Sequence, residues 1–375
     1  MAKPVGSECN LRCRYCYYLG KGSGGVREKR EMGVDILERF TEEYIGMQAG
    51  REVLFTWHGG EALLRGRGFY EEALRMQRRY GVGRVVENCI QTNGTLLTED
   101  WCKFLRDEGF MVGVSVDGRE EEHDRYRRGV GGESTWGSVM KGVEKLRRNG
   151  VEYNIMTVVH EGNASAPKEL YGYLKGLGSK YIQFMPAVDR VQGRWAMWNV
   201  GSEEWGEFLV GVFDEWVRGD VGRVYVQQFD AALEAWVGGR GGTCVGMEEC
   251  GGCGVIEWNG DVYSCDHFVD EGHKLGNIRA VGLGEMMNGE RQRAFGAAKR
   301  EKRSEECGRC RYLFACNGEC PKNREVSGAD AGRSRLCGGY RRFFEHIEPA
   351  MEWMKNELLH GRAPANIMAA IQARR

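Results

Sequence analysis

Cys9-Asn-Leu-Arg-Cys13-Arg-Tyr-Cys16-Tyr-Tyr18, called the cysteine loop below, is the stretch that decides the fold. Its three cysteines stand at Cys-x3-Cys-x2-Cys spacing, with an aromatic residue before the third. Closely spaced cysteines bind iron–sulfur clusters, and three thiolates hold three irons of a cubane and leave the fourth open to chemistry. On spacing alone, two alternatives stay open. Half of a zinc site would need a fourth ligand, and disulfides would strain so short a segment.

The composition is that of a globular protein with bound metal. Of the 375 residues, 42% are apolar and 29% are charged, enough for one large domain and a smaller one. The formal net charge of −1 argues against a general nucleic-acid binder. No apolar run is long enough to span a bilayer, and no secretory leader opens the sequence. The fourteen cysteines therefore predict metal binding in a reducing cytoplasm rather than disulfides.

Strand and helix patterns alternate between residues 50 and 186. Repeats of about 30 residues predict a parallel sheet, and the cysteine loop opens the first of six units. The fold is therefore predicted as α/β, either a partial (β/α)6 barrel or an open doubly wound sheet, with ligand groups at the carboxyl ends of the strands. The predicted strands are Glu52–Trp57, Arg84–Gln91, Met111–Val116, Glu152–Val159 and Tyr181–Met185, and the predicted helices are Phe69–Tyr80, Glu99–Asp107, Trp136–Arg148 and Lys168–Leu177.

The rest of the chain divides into three segments. Residues 187–243 are predicted to form a helical bridge, because aromatic residues recur there as a core stripe. Residues 244–340 are dense in cysteine and poor in periodic apolar residues, so metal clusters are expected to organise them. Residues 341–375 are predicted as one amphipathic helix, Arg341–Leu359, followed by a polar tail. The aromatic stripe comprises Trp195, Trp198, Trp205, Phe208, Phe213 and Trp216.

Polar groups at the predicted strand ends are candidates for ligand binding. Gly59-Gly60-Glu61 lets the backbone approach a ligand, although such glycines more often only make turns. Ser115 is equally well read as a strand serine that is satisfied locally. Arg127, in His123-Asp-Arg-Tyr-Arg127, suits a carboxylate clamp, although most arginines in charge runs are solvated. Asp266 follows a cysteine directly, so it is either a general base beside a redox centre or a turn-capping aspartate.

The C-terminal cysteines form the second strong pattern. It runs Cys244-x5-Cys250, Cys265, Cys307-x2-Cys310-x5-Cys316-x3-Cys320 and Cys337. The Cys-x2-Cys pair within it is by itself typical of a zinc knuckle, so zinc remains the alternative. Cys89 and Cys102 are predicted to be small buried residues. Cys253 is an extra thiol whose role stays open.

Nearly the whole chain resembles the anaerobic sulfatase-maturating enzymes, a family of radical S-adenosylmethionine (SAM) enzymes with a SPASM-type extension. This resemblance implies a partial (β/α)6 radical SAM barrel at residues 1–186, a SPASM-type cluster domain at 244–340 and a C-terminal helix. Ala62 and Arg119 replace usual prolines, which puts loop rigidity in doubt more than chemistry. Besides the cysteines, the resemblance rests on Trp57-His-Gly-Gly-Glu61, Gln91-Thr-Asn-Gly94, Val114-Ser-Val-Asp-Gly118, His123-Asp-x-Tyr-Arg127, Tyr181-Ile-Gln-Phe184, Tyr263-Ser-Cys-Asp266 and Leu275-Gly-Asn-Ile278.

The resemblance also implies three [4Fe–4S] clusters and SAM as cofactors. The positions that match SAM contacts are Tyr15, Gly60, Ser115, Arg127 and Val188, and Tyr18 is expected to line the substrate pocket. The implied cluster ligands are Cys9, Cys13 and Cys16 for the cluster that binds SAM, Cys244, Cys250, Cys265 and Cys320 for the first auxiliary cluster, and Cys307, Cys310, Cys316 and Cys337 for the second.

The implied reaction oxidises a cysteine or serine of a client sulfatase to Cα-formylglycine. A 5′-deoxyadenosyl radical made from SAM takes a hydrogen from the target Cβ, Asp266 removes the thiol or hydroxyl proton, and the auxiliary clusters carry away the second electron. The implied partners are a sulfatase polypeptide with a Cys/Ser-x-Pro/Ala-x-Arg-type motif and an electron donor such as a ferredoxin or flavodoxin. We expect a cytoplasmic monomer without nucleic-acid or membrane partners. The alternatives are a SPASM enzyme that crosslinks a ribosomal peptide through thioether or carbon–carbon bonds, and a non-catalytic metal-cluster scaffold.

Overall fold

The computed structural model describes residues 1–19, 30–239 and 242–373. The strands in these ranges are β1 (Ala2–Lys3), β2 (Glu52–Trp57), β3 (Val85–Thr92), β4 (Met111–Ser115), β5 (Tyr153–Val159), β6 (Tyr181–Pro186), β7 (Arg190–Val191), β8 (Arg194–Trp195), β9 (Tyr225–Val226), β10 (Val255–Glu257), β11 (Asp261–Tyr263) and β12 (Lys274–Asn277). The α-helices are α1 (Val34–Met47), α2 (Arg67–Tyr80), α3 (Glu99–Asp107), α4 (Glu120–Asp124), α5 (Trp136–Arg148), α6 (Pro167–Gly176), α7 (Ser202–Gly219), α8 (Gln227–Trp236), α9 (Leu283–Asn288), α10 (Glu290–Glu301), α11 (Glu305–Gly308), α12 (Leu313–Cys316), α13 (Cys337–Leu359) and α14 (Ile367–Gln372). Short 3-10 helices span Ala62–Arg65, Glu271–His273, Pro321–Asn323 and Pro364–Asn366.

The chain divides into two compact units that interleave in sequence. The first unit contains Met1–Ser115, Tyr126–Tyr153 and Gly251–Gly296, and the second contains Val116–Arg125, Asn154–Cys250 and Ala297–Arg375. The boundaries of these units differ from those of the predicted domains. The predicted domains therefore remain predictions, at residues 1–186, 187–243, 244–340 and 341–375.

The first unit is built on a sheet with the strand order β12-β11-β10-β1-β2-β3-β4. The strands β1 to β4 run parallel, β1 also runs parallel to β10, and β10 to β12 form an antiparallel meander. Ala2 at the centre pairs with Trp57 on one side and with Ile256 on the other. Because parallel strands end at the same edge, the cysteine loop, the Gly59-Gly60 tip and Ser115 follow neighbouring strand ends.

Alternating burial explains why β2 forms where the sequence predicts it. Val53, Phe55 and Trp57 are at most 1% exposed, whereas the residues between them face outward. The five predicted strands and four predicted helices are confirmed, with ends within two residues of the observed ones. The first strand, β1, precedes the cysteine loop, so the count of six strands is confirmed as well.

The second unit contains the parallel strands β5, β6 and β9, with Ile155 beside Ile182 and Ile182 beside Val226. Its core includes α7, and the four aromatic residues of the stripe on this helix pack in that core, as predicted. Phe213 lies 5.2 Å from Phe229, measured between ring centroids. The buried members of the stripe are Trp205, Phe208, Phe213 and Trp216, each at most 2% exposed.

Two predictions for the bridge and the tail are wrong. Trp195 does not belong to a helix, since it lies on the β7–β8 hairpin with the guanidinium of Arg190 3.7 Å from its ring centroid. Residues Ile367–Gln372 form α14 rather than a polar tail, because Ile367 is buried.

Two further elements differ from the sequence pattern. His123 lies near the end of a short helix, α4, where Glu122 accepts a hydrogen bond from the Arg119 amide at 2.8 Å and so caps the helix at its start. The glycine-rich C-terminal region contains a helix, α10, whose polar composition hides its period. Among the residues that the structure describes, no helix combines the length and apolarity of a membrane-spanning segment.

Candidate active site

Backbone hydrogen bonds fix the cysteine loop against residues 126–129 of the first unit. The amide of Arg12 donates to the Arg128 carbonyl at 2.8 Å, and the amide of Arg14 donates to the Tyr126 carbonyl at 3.0 Å. This pairing brings Arg127 to the loop, where its guanidinium lies 5.7 Å from the Tyr15 ring centroid. Two predicted SAM contacts therefore lie together.

The Gly59-Gly60 tip packs on the segment that leads into the cysteine loop. The amide of Gly60 donates to the Gly6 carbonyl at 2.8 Å, and the amide of Glu61 donates to the Glu8 carbonyl at 2.8 Å. A Cβ on Gly60 would lie 1.9 Å from the Glu8 carbonyl oxygen, so only glycine fits. Gly59 has a φ of 131°, which also favours glycine.

The Glu61 carboxylate is already engaged within the protein. It accepts hydrogen bonds from the Leu63 amide at 3.0 Å, the Thr92 hydroxyl at 2.8 Å and the Asn93 amide at 2.7 Å. Burial raises the pKa of Glu61, and these donors, together with the charge of Arg127, lower it. The carboxylate thus ties β2 to β3, which leaves the glycine backbone as the part of this tip that can approach a ligand.

The surroundings of Cys9 fit a cluster-bound thiolate. Its sulfur accepts from the Leu11 amide at 3.4 Å and from Asn93 Nδ2 at 3.7 Å. Burial raises the pKa of the Cys9 thiol, and the nearby Glu61 and Cys16 raise it further. Amide donors stabilise a thiolate, and the negative charges of Cys16 and Glu61 beside it favour a cation, which iron would supply.

Ser115 and Val188 are less informative. Ser115 is 9% exposed at the end of β4, and its hydroxyl accepts from Gln91 Nε2 at 3.1 Å. Ser115 therefore has a local hydrogen-bond partner, as expected of a strand serine that is satisfied within the protein. Val188 belongs to the second unit, where it is buried just beyond β6. The SAM roles of both residues remain predictions.

Asp266 belongs to the first unit and lies, half-buried, in a polar cluster. The ammonium group of Lys3, which is fully buried, pairs with Asp266 Oδ1, and the Tyr17 hydroxyl donates to Asp266 Oδ2. Burial alone would raise the pKa of Asp266, but Lys3, His58 and His267 outweigh it and hold that pKa well below the usual value. The carboxylate is therefore ionised and fixed, and each oxygen keeps a lone pair for a further proton donor.

Tyr18, predicted to line the substrate pocket, is 2% exposed, and its hydroxyl donates to Glu257 Oε1. Its ring centroid lies 3.5 Å from Lys3 Nζ. The neighbouring Tyr17, which the sequence analysis did not single out, is the tyrosine that contacts Asp266. Lys3 was also missed, because the two-residue strand that contains it is too short to show a period in the sequence.

His58 stands beside this cluster. Burial lowers its pKa to about 4, with the charge of Lys3 acting in the same direction. Its Nδ1 accepts from the Gly59 amide at 2.7 Å, which places the proton of the neutral ring on Nε2. At neutral pH the imidazole is therefore an uncharged donor.

The predicted ligands of the second auxiliary cluster come together in the second unit. Burial raises the pKa of Cys316 to about 12, and Glu319, Cys337 and Cys307 contribute to the shift. The amide of Cys310 donates to the Cys307 carbonyl at 3.2 Å, which places the fourth thiol on the same turn. The interaction among Cys307, Cys316 and Cys337, with Cys310 three residues from Cys307, agrees with a closed cluster.

Three predicted ligands of the first auxiliary cluster surround Lys299. Its ammonium donates to the Cys244 carbonyl at 2.8 Å. Burial lowers the pKa of Lys299, and the thiols of Cys250, Cys320 and Cys244 oppose that shift. The fourth predicted ligand, Cys265, belongs to the first unit.

The remaining cysteines are not alike. Cys102 is fully buried, as predicted, whereas Cys89 is only partly buried. Cys253 is exposed and belongs to the first unit, unlike Cys250, so proximity in sequence does not make the two equivalent.

Comparison with family models gives two matches. Residues 4–174 match the model of the radical SAM superfamily. Residues 247–311 match the model of an iron–sulfur cluster-binding domain, SPASM. Together these segments contain the cysteine loop and most of the glycine-rich C-terminal region.

Similar proteins cover nearly the whole chain. A serine-type anaerobic sulfatase-maturating enzyme of Bacteroides thetaiotaomicron is 47% identical over 99% of this chain and 94% of its own length. A cysteine-type anaerobic sulfatase-maturating enzyme of Clostridium perfringens is 30% identical over 96% of this chain and 98% of its own. A solved structure of native anSMEcpe with bound AdoMet and Cp18Cys peptide matches with a TM-score of 0.86 at 30% identity, covering 95% and 98% of the two chains.

Proposed function

We propose that this chain, which belongs to the anaerobic sulfatase-maturating enzymes of the radical SAM superfamily, oxidises a cysteine or serine of a client sulfatase to Cα-formylglycine. The observation that carries this proposal is the 47% identity over 99% of the chain to an enzyme of that name. The predicted α/β radical SAM fold with a SPASM domain is confirmed by the same relationship, as are SAM and iron–sulfur clusters as cofactors.

The cofactors, when bound, would supply the radical chemistry that removes a hydrogen atom from the client side chain. The protein supplies position and charge. Cys9, Cys13 and Cys16 are proposed to hold the first cluster, and the fixed Gly59-Gly60 backbone is proposed to receive SAM. This assignment follows from the resemblance of Gly59-Gly60-Glu61 to the glycine-rich tip of the family.

Asp266 is proposed as the base that takes the hydroxyl or thiol proton. Its pKa lies below the usual value because Lys3 stabilises the anion, so it is a weak base toward an ordinary alcohol. Loss of the Cβ hydrogen makes the remaining proton far more acidic, and a weak base that is always ionised then suffices. Proton transfer is in this way restricted to a side chain that has already been activated.

The identities also favour a serine target. Serine-type relatives are 47% and 36% identical to this chain, against 30% for cysteine-type relatives. We therefore propose that a serine peptide is a substrate. For the electron donor, a ferredoxin or flavodoxin in the cytoplasm fits one-electron chemistry, and we propose that the chain acts as a monomer.

Mass spectrometry of matched peptides tests the proposal. Two sulfatase-derived peptides that differ only in serine or cysteine at the target are incubated anaerobically with the protein, SAM and a reductant. Conversion of the serine peptide by loss of two hydrogens, with labelling by a hydrazide reagent, is expected. An oxidised peptide that the hydrazide does not label would instead indicate a crosslinking enzyme and overturn the proposal.

A further inference from the structure

A left-handed turn joins cysteines that are assigned to different auxiliary clusters. Residues Asn317, Gly318 and Glu319 have φ values of 48°, 75° and 59°. Three consecutive left-handed residues are rare, and the conformation is costly for glutamate, so surrounding contacts must impose it. The turn runs from Cys316, assigned to the second auxiliary cluster, to Cys320, assigned to the first.

One buried arginine supplies those contacts. Arg324 is 4% exposed, and its guanidinium donates to the carbonyls of Gly318 at 2.9 Å, Glu319 at 3.3 Å and Asn317 at 3.4 Å. It also donates to the Lys299 carbonyl at 2.7 Å. A single planar fork thus holds every carbonyl of the turn and anchors it to α10.

The same arginine faces thiols of both sets. The guanidinium of Arg324 interacts electrostatically with Cys307, Cys250 and Cys320. Cys307 belongs to the second set of ligands, and the other two belong to the first. Lys299, 1% exposed, has Cys250, Cys320 and Cys244 as its neighbours, all from the first set.

Two buried cations, Lys299 and Arg324, share one buried carboxylate among the residues that the structure describes. Glu319 provides one carboxylate, held by Asn323 Nδ2 at 2.8 Å and the Ser334 hydroxyl at 2.9 Å. Buried cations are stable only when paired. An iron–sulfur cluster with four thiolate ligands is an anion, so two clusters fit this excess of positive charge.

We infer that Arg324 is a positioning residue for electron transfer through the auxiliary clusters. Its hydrogen bonds fix the turn between the two sets of ligands, and its charge raises the reduction potential of both clusters, whereas Lys299 acts on the first alone. The inference rests on the proposed function, in which one electron from the oxidised client passes to these clusters and then to a one-electron acceptor of the ferredoxin or flavodoxin class. The reduction potential of a cluster depends on nearby charge and hydrogen bonds, and a positive charge such as that of Arg324 raises it.

Redox titration followed by electron paramagnetic resonance tests it. The variants Arg324→Gln and Lys299→Gln are compared in a background with Cys9, Cys13 and Cys16 changed to alanine, so that only auxiliary clusters contribute. Arg324→Gln is expected to lower both midpoint potentials by about 59 mV, which for one electron is a tenfold change in the ratio of reduced to oxidised cluster. Lys299→Gln should lower one potential only. Arg342→Gln, an exposed arginine paired with Glu207 in the same unit, is the control and should change neither.

Unchanged potentials in an iron-loaded Arg324→Gln protein would overturn the inference. If that variant loses its iron, Arg324→Lys is measured instead, because lysine keeps the positive charge. Restored clusters with potentials near the parent value would support the inference. A second loss of iron would overturn it, because the residue would then be purely structural. Formylglycine formation is measured separately on the parent protein. Its absence, with the potential shifts present, would refute the proposed function and not the role of Arg324.

Discussion

The two groups of cysteines are held by different means. The cysteine loop is fixed by main-chain hydrogen bonds to residues 126–129 and by a glycine tip that admits no side chain. In the second unit, residues 297–337, here called the auxiliary segment, form short helices and a left-handed turn around buried Lys299 and Arg324. Main-chain contacts dominate the first arrangement, whereas the second places two buried cations beside predicted cluster ligands.

The sharpest way to break this comparison is to remove one thiol from each group. Cys13→Ala removes a ligand of the cluster that would bind SAM, so production of 5′-deoxyadenosine should fall to background, a loss of roughly 10³-fold or more. Cys310→Ala should retain measurable cleavage without formylglycine. Chromatography of 5′-deoxyadenosine and peptide mass spectrometry measure both. Equal loss of cleavage in the two variants would mean that the groups do not act separately.

Asp266 sharpens the comparison, because it follows an auxiliary ligand in sequence but contacts Lys3 in the first unit. Asp266→Asn should lower formylglycine formation by about 10²- to 10⁴-fold, the usual range for loss of a general base, while SAM cleavage continues. Asp270→Asn, a change at an exposed position in the same loop, is the matched control. Undiminished product from the Asp266→Asn variant would contradict the proposed base role.

Removal of metal tests the difference in how the two groups are held. After chelation, hydrogen exchange in the auxiliary segment should accelerate to near unprotected rates, because its buried cations lose their partners. Protection of β2, β3 and β4 should fall by less than about tenfold, since their hydrogen bonds do not depend on metal. Exchange measured by mass spectrometry distinguishes the segments. Equal deprotection of both would show that the first unit also requires its cluster to fold.

The smallest predicted effect concerns His58, whose pKa falls to about 4 on burial. The unfolded chain binds a proton near its ordinary pKa of about 6.5, so this residue makes the folded state less stable as pH drops below that value. Between about pH 6.5 and pH 5 the loss should be about 1.5 kcal/mol. Urea unfolding of the wild-type chain and of His58→Gln measures it, and parallel pH slopes for the two would exclude the effect.

Sequence periodicity predicted the strands and helices that have one buried face and one exposed face. Val53, Phe55 and Trp57 alternate with more exposed residues, so β2 was predicted with the bounds that the structure shows. The grouping of Cys307, Cys316 and Cys337 was implied by the family resemblance, and these three residues act on one another electrostatically. The periodic signal is local in the chain.

Contacts between distant residues left no such signal. Lys3 and Asp266 pair across most of the sequence, and β1 has only two residues, too few for any period. The helix α10 was missed because its residues are mainly charged and small. Nothing in the sequence distinguishes Arg324 from the other arginines, whereas in the structure it donates hydrogen bonds to four carbonyl groups.

The central position of β1 has a consequence for how the protein is made. Ala2 lies between Trp57 and Ile256, so the middle of the sheet closes only after about 250 further residues have left the ribosome. At roughly 5 to 20 residues per second, this wait lasts about 10 to 50 s. During that time Lys3 lacks its carboxylate partner, so a nascent chain that receives iron early would hold its first cluster beside an unfinished sheet.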